Sequence, residues 1–222
     1  MSDISKKTLD EAALAQVTGG TGDMRGGTGA DSLTGTEGGD KIFGANPDMP
    51  HADGSDTILA GGGNDEVHGL AGNDVIALGA GDDKGFGGDG NDVIDGGAGR
   101  DEMFGQGGND SMTGGAGDRT GDYAEGGAGD DTYVWGPGDG SDHFVGGEGR
   151  DTLMLQGVSF DQLQAALTQW GSGYSMSYNP ANGAVSFLDA HGQPASFSGE
   201  LNIGGERLMF QQIESIVLAP AR

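Results

Sequence analysis

Aspartate recurs at every ninth position through the centre of the chain. Between residues 60 and 113, six blocks of nine residues follow one another without an insertion. The aspartates of these blocks are Asp65, Asp74, Asp83, Asp92, Asp101 and Asp110. Ca²⁺ binds oxygen ligands, and proteins usually supply them as carboxylates mixed with backbone carbonyls. Regular carboxylates in a glycine-rich stretch therefore favour a role in cation binding over a catalytic pair of acids.

Each block divides into a glycine-rich loop of six residues and a strand of three. In five of the six blocks an apolar residue follows two places after the aspartate, and Gly85 is the exception. A triplet such as Glu66-Val67-His68 places its middle side chain on one face of a strand and its neighbours on the other. The apolar residues at this position are Val67, Ile76, Ile94, Met103 and Met112, and the first four are expected to stack inward.

The blocks match the nonapeptide GGxGxDxUx, which is typical of parallel β-helices that bind Ca²⁺. On these residues the chain resembles the RTX (repeats-in-toxin, hemolysin-type) calcium-binding family. The resemblance implies an all-β fold, a parallel β-roll in which two blocks form one coil and block n lies under block n+2. The aspartate pairs implied by that coil are Asp65 with Asp83, Asp74 with Asp92, Asp83 with Asp101, and Asp92 with Asp110. A flexible, acidic, low-complexity linker is the alternative, but such linkers carry no aspartate in fixed register.

Stacked loops would place two carboxylates and several loop carbonyls around one small cavity. Ca²⁺ suits that mixture better than Mg²⁺, which demands stricter octahedral geometry. Metal binding should therefore contribute directly to folding, with about four to nine ions bound. The candidate carboxylate ligands are Asp31, Asp40, Asp56, Asp65, Asp74, Asp83, Asp92, Asp101, Asp110, Asp122, Asp131, Asp142 and Asp151. The candidate carbonyl ligands are Gly61, Gly63, Gly72, Gly79, Gly81, Gly88, Gly90, Gly97, Gly99 and Gly108.

Composition restricts the classes of partner. The 222 residues include 49 glycines, only 34% are hydrophobic, and the formal net charge is −25. An acidic chain is an unsuitable partner for nucleic acid or anionic lipid, because both require Lys and Arg contacts. There is no cysteine and hence no disulfide framework. No apolar stretch is long enough for a membrane span or for the core of a Sec-type signal peptide.

Residues 1–25 form the first predicted unit. Thr8 and Glu11 make a capping box, so a short helix is expected to run to about Val17, where Gly19 and Gly20 end it. The segment also resembles a double-glycine leader of the kind cut by some ABC exporters, with the cut after Gly20. The residues that carry this likeness are Leu9, Leu14, Val17, Gly19 and Gly20. A helix that caps the roll is the alternative.

Residues 26–154 form the predicted roll. A proline-containing interruption at residues 44–50 is expected to bulge as a loop, with His51 a solvated histidine rather than a metal ligand. The register slips again at residues 119–121. Tyr133 and Phe144 take later core positions, where they either widen the core towards a cap or provide an aromatic ligand platform.

Residues 155–222 are expected to be an α+β cap that covers the open end of the solenoid. Ser159 and Gln162 form a second capping box, followed by a helix from about Phe160 to Trp170. The expected strands cover residues 174–178, 184–188, 195–203 and 208–218, and the first two form a hairpin. In the resembled family the C-terminal end also carries a signal for type I secretion, and residues 213–218 resemble the apolar strand often found there.

Catalytic motifs are missing from the sequence. It contains no HExxH, no GxSxG and no cysteine nucleophile, and the GxGxxG at residues 85–90 lies within the array of repeats. We therefore expect a secreted, non-enzymatic calcium-binding protein at the exterior or surface of a bacterium. It would pass through an ABC-type exporter and fold on Ca²⁺ outside the cell. The alternatives are a surface-layer, matrix or filament subunit that assembles with calcium, and an accessory module of an extracellular enzyme.

Overall fold

The computed structural model describes residues 16–18, 23–45, 54–167, 175–189, 191 and 195–220. Among these described residues, two β-sheets account for nearly all of the regular structure, together with one short helix, α1 (Phe160–Ala166). The expected all-β parallel roll is confirmed. Most of the N-terminal helix or leader prediction falls outside the described residues. Within it, Gln16–Thr18 form a strand and not the end of a helix.

The first sheet has eleven strands in the part of the chain that the structure describes. In spatial order they are β1 (Gln16–Thr18), β3 (Ser32–Thr34), β5 (Thr57–Gly62), β7 (Val75–Ala80), β9 (Val93–Ala98), β11 (Ser111–Thr113), β13 (Thr132–Trp135), β15 (Thr152–Gln156), β20 (Ser215–Ala219), β17 (Ala184–Leu188) and β16 (Ser175–Asn179).

The second sheet has nine strands when the described residues are counted. In spatial order they are β18 (Phe197–Ile203), β19 (Glu206–Ile213), β14 (His143–Glu148), β12 (Tyr123–Ala128), β10 (Glu102–Gly107), β8 (Lys84–Asp89), β6 (Glu66–Ala71), β4 (Lys41–Phe43) and β2 (Asp23–Arg25).

Successive strands alternate between the two sheets from β1 to β15, which makes the chain a coil. Each strand pairs in parallel with the strand two places earlier, so that Ile58, Ile76 and Ile94 lie side by side on β5, β7 and β9. These residues are separated by two blocks of nine. The expectation of two blocks per coil is therefore confirmed.

The core of the roll is the stack of middle residues from the strand triplets. Val67, Ile76 and Ile94 are at most 1% exposed. Gly85 supplies no side chain at the equivalent position, and Leu78 fills the space instead. A Cβ built on Gly85 would lie 3.1 Å from Leu78 Cδ1. Leu78 occupies the first position of its repeat, where most repeats carry glycine.

Large aromatic side chains fill the core near its C-terminal end. Tyr133, Trp135 and Phe144 are all 0% exposed. The rings of Tyr133 and Phe144 stack with centroids 5.2 Å apart. Because these rings are enclosed, they belong to the widened core and not to a ligand platform.

The outward faces of the two sheets differ in chemistry. On the second sheet a stack of half-buried rings crosses adjacent strands, from Phe43 through His68 and Phe86 to Phe104. Centroid separations in this aromatic ladder are 4.7–5.1 Å. On the first sheet, Leu59, Val75 and Val93 lie on three adjacent strands and are 46–48% exposed.

The segment after residue 155 matches several expectations. Ser159 and Gln162 form the predicted capping box of α1. The helix is shorter than expected, because Leu167 is already its C-cap. The predicted hairpin is confirmed by the antiparallel pairing of β16 with β17.

The single strand expected over residues 208–218 is wrong. Two strands, β19 and β20, cover this stretch and lie in different sheets. β19 pairs in parallel with β14, and β20 pairs in parallel with β15. The chain therefore crosses between the sheets at Glu214, as it does at every repeat, and forms one more coil.

Strands β1 and β2 precede residue 26, where the roll was expected to begin. The unit boundaries at residues 25/26 and 154/155 stay predictions. Within the described part of the chain, no helix has the length and hydrophobicity needed to cross a bilayer. His51 lies outside the described residues.

Candidate metal centre

Thirteen repeat aspartates lie inside the roll, immediately before or close to the strands that they introduce. Each is at most 4% exposed. In the regular repeats, Asp65, Asp74 and Asp83 are each followed directly by a strand, so the strand start fixes their position. The carboxylates therefore face the space between coils and not the solvent.

A ladder of hydrogen bonds joins these aspartates from coil to coil. In eleven of the thirteen, the backbone N–H donates to Oδ1 of the aspartate two repeats later, over 2.7–3.1 Å. All four aspartate pairs expected from the sequence are present in this aspartate ladder. The vertical stacking of the loops is thus confirmed.

The ladder continues through both interruptions of the repeat. Across the insertion after residue 45, the backbone N–H of Asp31 donates to Asp56 Oδ1 over 2.7 Å. The backbone N–H of Asp40 donates to Asp65 Oδ1 over the same distance. Asp101 donates to Asp122 across the register slip, over 2.9 Å. The extra residues therefore leave the stacking of the carboxylates unchanged.

Glu214 is a member of the ladder that the sequence reading missed. The backbone N–H of Asp151 donates to Glu214 Oε2 over 2.7 Å, which repeats the Asp-to-Asp bond. The signal was available, because Ile216 follows Glu214 two places later as an apolar residue follows each repeat aspartate. Glu214 thus ends the ladder with a longer carboxylate.

The second carboxylate oxygen tests whether a cation fits. Oδ2 is buried and has no hydrogen-bond partner among the described residues in at least eight repeat aspartates. These are Asp65, Asp83, Asp92, Asp101, Asp110, Asp122, Asp131 and Asp151. A buried charged oxygen without a partner is costly, and a bound cation removes that cost.

Loop carbonyls converge on the same positions as these orphaned oxygens. A Cβ built on Gly105 would lie 2.2 Å from Asp110 Oδ2 and 2.6 Å from the Gly126 carbonyl oxygen. The same arrangement recurs at Gly126, with Asp131 Oδ2 at 2.2 Å and the Gly146 carbonyl oxygen at 2.6 Å. Carboxylate and carbonyl oxygens from adjacent coils therefore approach one another, and this donor set fits Ca²⁺.

Side chains alone do not form a metal site. Among the described residues, no group of three or more His, Asp or Glu side chains is arranged to hold an ion. Any ion between the coils must therefore take backbone oxygens in addition to two carboxylates. Hard divalent cations with flexible coordination, above all Ca²⁺, accept such a set.

The predicted glycine ligands all occupy the left-handed region of backbone conformation. Their φ angles lie between 98° and 150°. Space is equally restrictive, since a Cβ on Gly79 would lie 2.0 Å from the Gly61 carbonyl oxygen and one on Gly81 would lie 1.9 Å from that of Gly63. Glycine is therefore required for close stacking of the loops, whether or not its carbonyl binds metal.

Burial raises the pKa of the ladder carboxyls. Removal from water, with smaller contributions from neighbouring carboxylates, raises the pKa of Asp101 to about 8 and of Asp110 to about 7. The same cause raises the pKa of Asp65 to about 6. The direction shows that an anionic carboxylate is disfavoured here in the absence of a cation.

The second oxygen of the Asp142 carboxylate is engaged by a side chain of the core. Tyr133 donates its hydroxyl to Asp142 Oδ2 over 2.9 Å, so that oxygen is engaged by protein. Burial raises the pKa of the Tyr133 phenol well above its ordinary value, which keeps it a donor. Asp142 nevertheless accepts the usual ladder bond from Asp122 through Oδ1.

Comparison with family models identifies these repeats. A model described as the RTX calcium-binding nonapeptide repeat matches in four copies, at residues 17–46, 52–84, 86–121 and 137–154. Together the copies cover more than half of the chain. A search of curated proteins found no match.

Proposed function

Because this chain belongs to the RTX calcium-binding nonapeptide repeat family, we propose that it is a non-enzymatic protein whose β-roll is completed by Ca²⁺ between its coils. The observation that carries the proposal is the series of buried, orphaned Oδ2 atoms beside loop carbonyls. When bound, Ca²⁺ would supply the positive charge that these oxygens lack.

The ions would be held by the repeat aspartates together with the carbonyls of the predicted loop glycines. We propose that about four to nine ions bind, and the presence of at least eight orphaned carboxylate oxygens is consistent with this number. Folding and binding would then be coupled, because the coils cannot approach while buried carboxylates repel one another.

Coupling of folding to calcium binding would suit export of the chain in an unfolded state. A chain that stays open where Ca²⁺ is scarce would pass through an ABC-type exporter and close outside, where sites of about 10⁻⁴–10⁻³ M affinity are filled. Residues 213–218, the proposed secretion signal, span the end of β19 and the start of β20. We therefore propose an extracellular or cell-surface location.

A paired substitution tests the metal site. Asp101→Asn removes a buried ladder carboxylate, whereas Asp95→Asn removes an exposed one on the outer face of the first sheet. We expect Asp101→Asn to weaken calcium binding about tenfold or to lower the number of ions bound, and Asp95→Asn to leave both unchanged. Isothermal titration calorimetry measures both quantities.

The same titration, followed by circular dichroism, should show strand signal growing with calcium. Failure of the wild-type chain to bind Ca²⁺ would contradict the proposal outright. Equal calcium binding by both variants would remove the aspartate ladder from it.

A second candidate function, calcium-dependent assembly into a layer or filament, is favoured by the exposed apolar residues of the first sheet. Leu59, Val75 and Val93 form a patch in which each side chain is nearly half exposed. Sedimentation velocity at rising calcium should then show larger species, and Val93→Asp should remove them. A strict monomer at every calcium concentration would exclude assembly.

A further inference from the structure

One turn near the C-terminal side of the roll has core side-chain donors where at least eight repeats have orphaned carboxylate oxygens. It is the loop of residues 136–142, between β13 and β14. Tyr133 donates its hydroxyl to Asp142 Oδ2 over 2.9 Å. Trp135 donates its indole Nε1–H to the Gly140 carbonyl oxygen over 3.1 Å. Both donors come from β13 and both side chains are 0% exposed.

The contrast with a regular loop is direct. In the loop that ends at Asp110, Oδ2 is buried and has no hydrogen-bond partner among the described residues. In the 136–142 loop, a carboxylate oxygen and a carbonyl oxygen are both occupied by protein donors. The two oxygen types that Ca²⁺ requires are thus already satisfied in this one turn.

The backbone N–H groups of the same loop are also engaged. Gly136 donates to Asp139 Oδ2 over 2.8 Å, and Gly138 donates to Glu206 Oε2 over 2.7 Å. Glu206 is the first residue of β19, so the last coil is tied to this loop. Asp139 Oδ1 accepts from Gly117 over 3.0 Å, which ties the preceding coil to it as well.

We propose that the 136–142 loop closes without calcium, with the Tyr133 hydroxyl and the Trp135 indole taking the place of a cation. Asp142 Oδ2 is then not a metal ligand, although Asp142 has the sequence position of one. The loop and its two aromatic donors on β13 form a calcium-free latch at the C-terminal side of the roll. This inference rests on the proposed function, because it identifies a turn that needs no calcium in a roll whose other coils are proposed to bind it.

The fluorescence of Trp135 provides the test. The chain has two tryptophans, so the full chain carrying Trp170→Phe reports on Trp135 alone. In excess chelator, Trp135 of this parent should be shielded from acrylamide. Adding Tyr133→Phe leaves Asp142 Oδ2 buried without a partner, which should shift the opening equilibrium roughly tenfold or more and expose Trp135. Saturating Ca²⁺ should restore the shielding.

Tyr178→Phe is the matched control, because that hydroxyl lies on an exposed side chain; it should leave Trp135 shielded. The proposal is overturned if Trp135 of the parent is open in chelator and shielded only by Ca²⁺, although calcium binding itself would then stand. It is equally overturned if Tyr133→Phe stays shielded in chelator. If calorimetry shows no calcium binding by the parent, the proposed function is refuted. Acrylamide quenching of Trp135 in chelator then still decides whether the latch is closed.

A second variant covers the case in which Tyr133→Phe does not fold under either condition. Asp142→Asn should bind the same number of ions as the parent, whereas Asp101→Asn should bind fewer. Loss of an ion in Asp142→Asn equal to the loss in Asp101→Asn would overturn the proposal.

Discussion

Glycine at two positions of each repeat determines how closely the coils stack. Gly79 has φ 107° and its α-carbon faces the Gly61 carbonyl oxygen of the preceding coil. A side chain there meets both a disfavoured backbone conformation and a steric contact with backbone that cannot move alone. Loop positions that lack both constraints should tolerate alanine.

Gly79→Ala should therefore destabilise the calcium-loaded protein by about 2 kcal/mol or more. Gly38→Ala is the control, because a Cβ there would have only Thr36 Oγ1 nearby, at 3.9 Å. Its effect should lie within about 0.5 kcal/mol. Thermal unfolding in saturating calcium measures both, and similar melting temperatures for the two variants would contradict the steric argument.

The raised carboxyl pKa values give the metal-free protein an inverted pH dependence. Burial raises the pKa of Asp101 to about 8 and of Asp110 to about 7, against ordinary values near 3.8. Between these limits the folded state binds more protons than the unfolded state. The free energy of unfolding of the metal-free chain therefore falls as pH rises through this range.

Strand signal in calcium-depleted solution should accordingly increase as pH is lowered from about 8 towards 5, measured by circular dichroism. The apparent calcium affinity should change in the opposite direction, because protons and Ca²⁺ compete for the same oxygens. Asp101→Asn should show a smaller pH dependence than the wild type. Strand signal that declines steadily on acidification without metal would be incompatible with the burial of these groups.

The aspartates of the ladder were predictable because each occupies a fixed place in a nine-residue pattern. Glu214 was not predicted, since it lies outside the glycine-rich stretch and differs in residue type. The hydrogen bond from Tyr133 to Asp142 could not be predicted from the sequence either, because a tyrosine at an apolar position gives no sign of where its hydroxyl points. Pattern defines a repeat position, whereas contacts within the folded roll define what satisfies each oxygen.

Within the strands, one repeat compensates for another. Leu78 projects into the space that Gly85 leaves empty in the core of the roll, and it is 0% exposed. The two departures from the pattern therefore depend on each other. A sequence reading that treats each repeat separately finds two defects where the structure has one packed unit.

Leu78→Ala should cost about 2–5 kcal/mol, because it opens a cavity in a close-packed core. Adding Gly85→Val in the same chain should recover part of that loss, with a coupling of about 0.5–3 kcal/mol. Gly85→Val alone should destabilise the protein, since its side chain would meet Leu78. Denaturant unfolding of the single and double variants measures the coupling, and simple additivity would contradict it.

The aromatic ladder stabilises the second sheet independently of metal. Phe86 is stacked between His68 and Phe104, at 4.7 Å and 5.1 Å. Because the rings stack on one another, their faces are covered by protein and only their edges meet solvent. The ladder therefore contributes packing along the axis of the roll and does not offer a flat surface for a ligand.

Phe86→Ala should destabilise the calcium-loaded protein by about 1–3 kcal/mol, because it removes two ring contacts. Val93→Ala, on the exposed face of the first sheet, should change stability by no more than about 0.5 kcal/mol. Chemical denaturation at saturating calcium compares the two. An equal effect would mean that ring stacking adds nothing beyond surface burial.

The prediction of one strand over residues 208–218 was wrong because of how the strands pair. A continuous apolar run gives no sign that it crosses between two sheets. Only the pairing of β19 with β14 and of β20 with β15 separates it into two strands. The hairpin of β16 and β17 was easier to predict, because its turn residues are local.

At the scale of the whole molecule, the net charge of −25 opposes compaction. Self-repulsion of this size expands a chain unless counter-charge is bound. About eight Ca²⁺ ions would reduce the formal charge to about −9. Ion binding therefore removes electrostatic repulsion and completes the oxygen sites in the same step.

Small-angle scattering should show this change. The radius of gyration should fall on calcium addition from a value nearer the roughly 51 Å of an unfolded chain of this length towards the roughly 17 Å of a compact one. NaCl at matched ionic strength is the control and should compact the chain much less, because it screens charge without filling the sites. Equal compaction by both salts would assign the effect to screening alone.

The aspartate ladder has a direction along the chain. Every donor N–H precedes its acceptor carboxylate in the chain, and the last acceptor among the described residues is Glu214. A polypeptide leaves the ribosome amino terminus first, so each donor N–H is synthesised before the carboxylate that accepts from it. Each rung therefore waits until at least 18 further residues have been added.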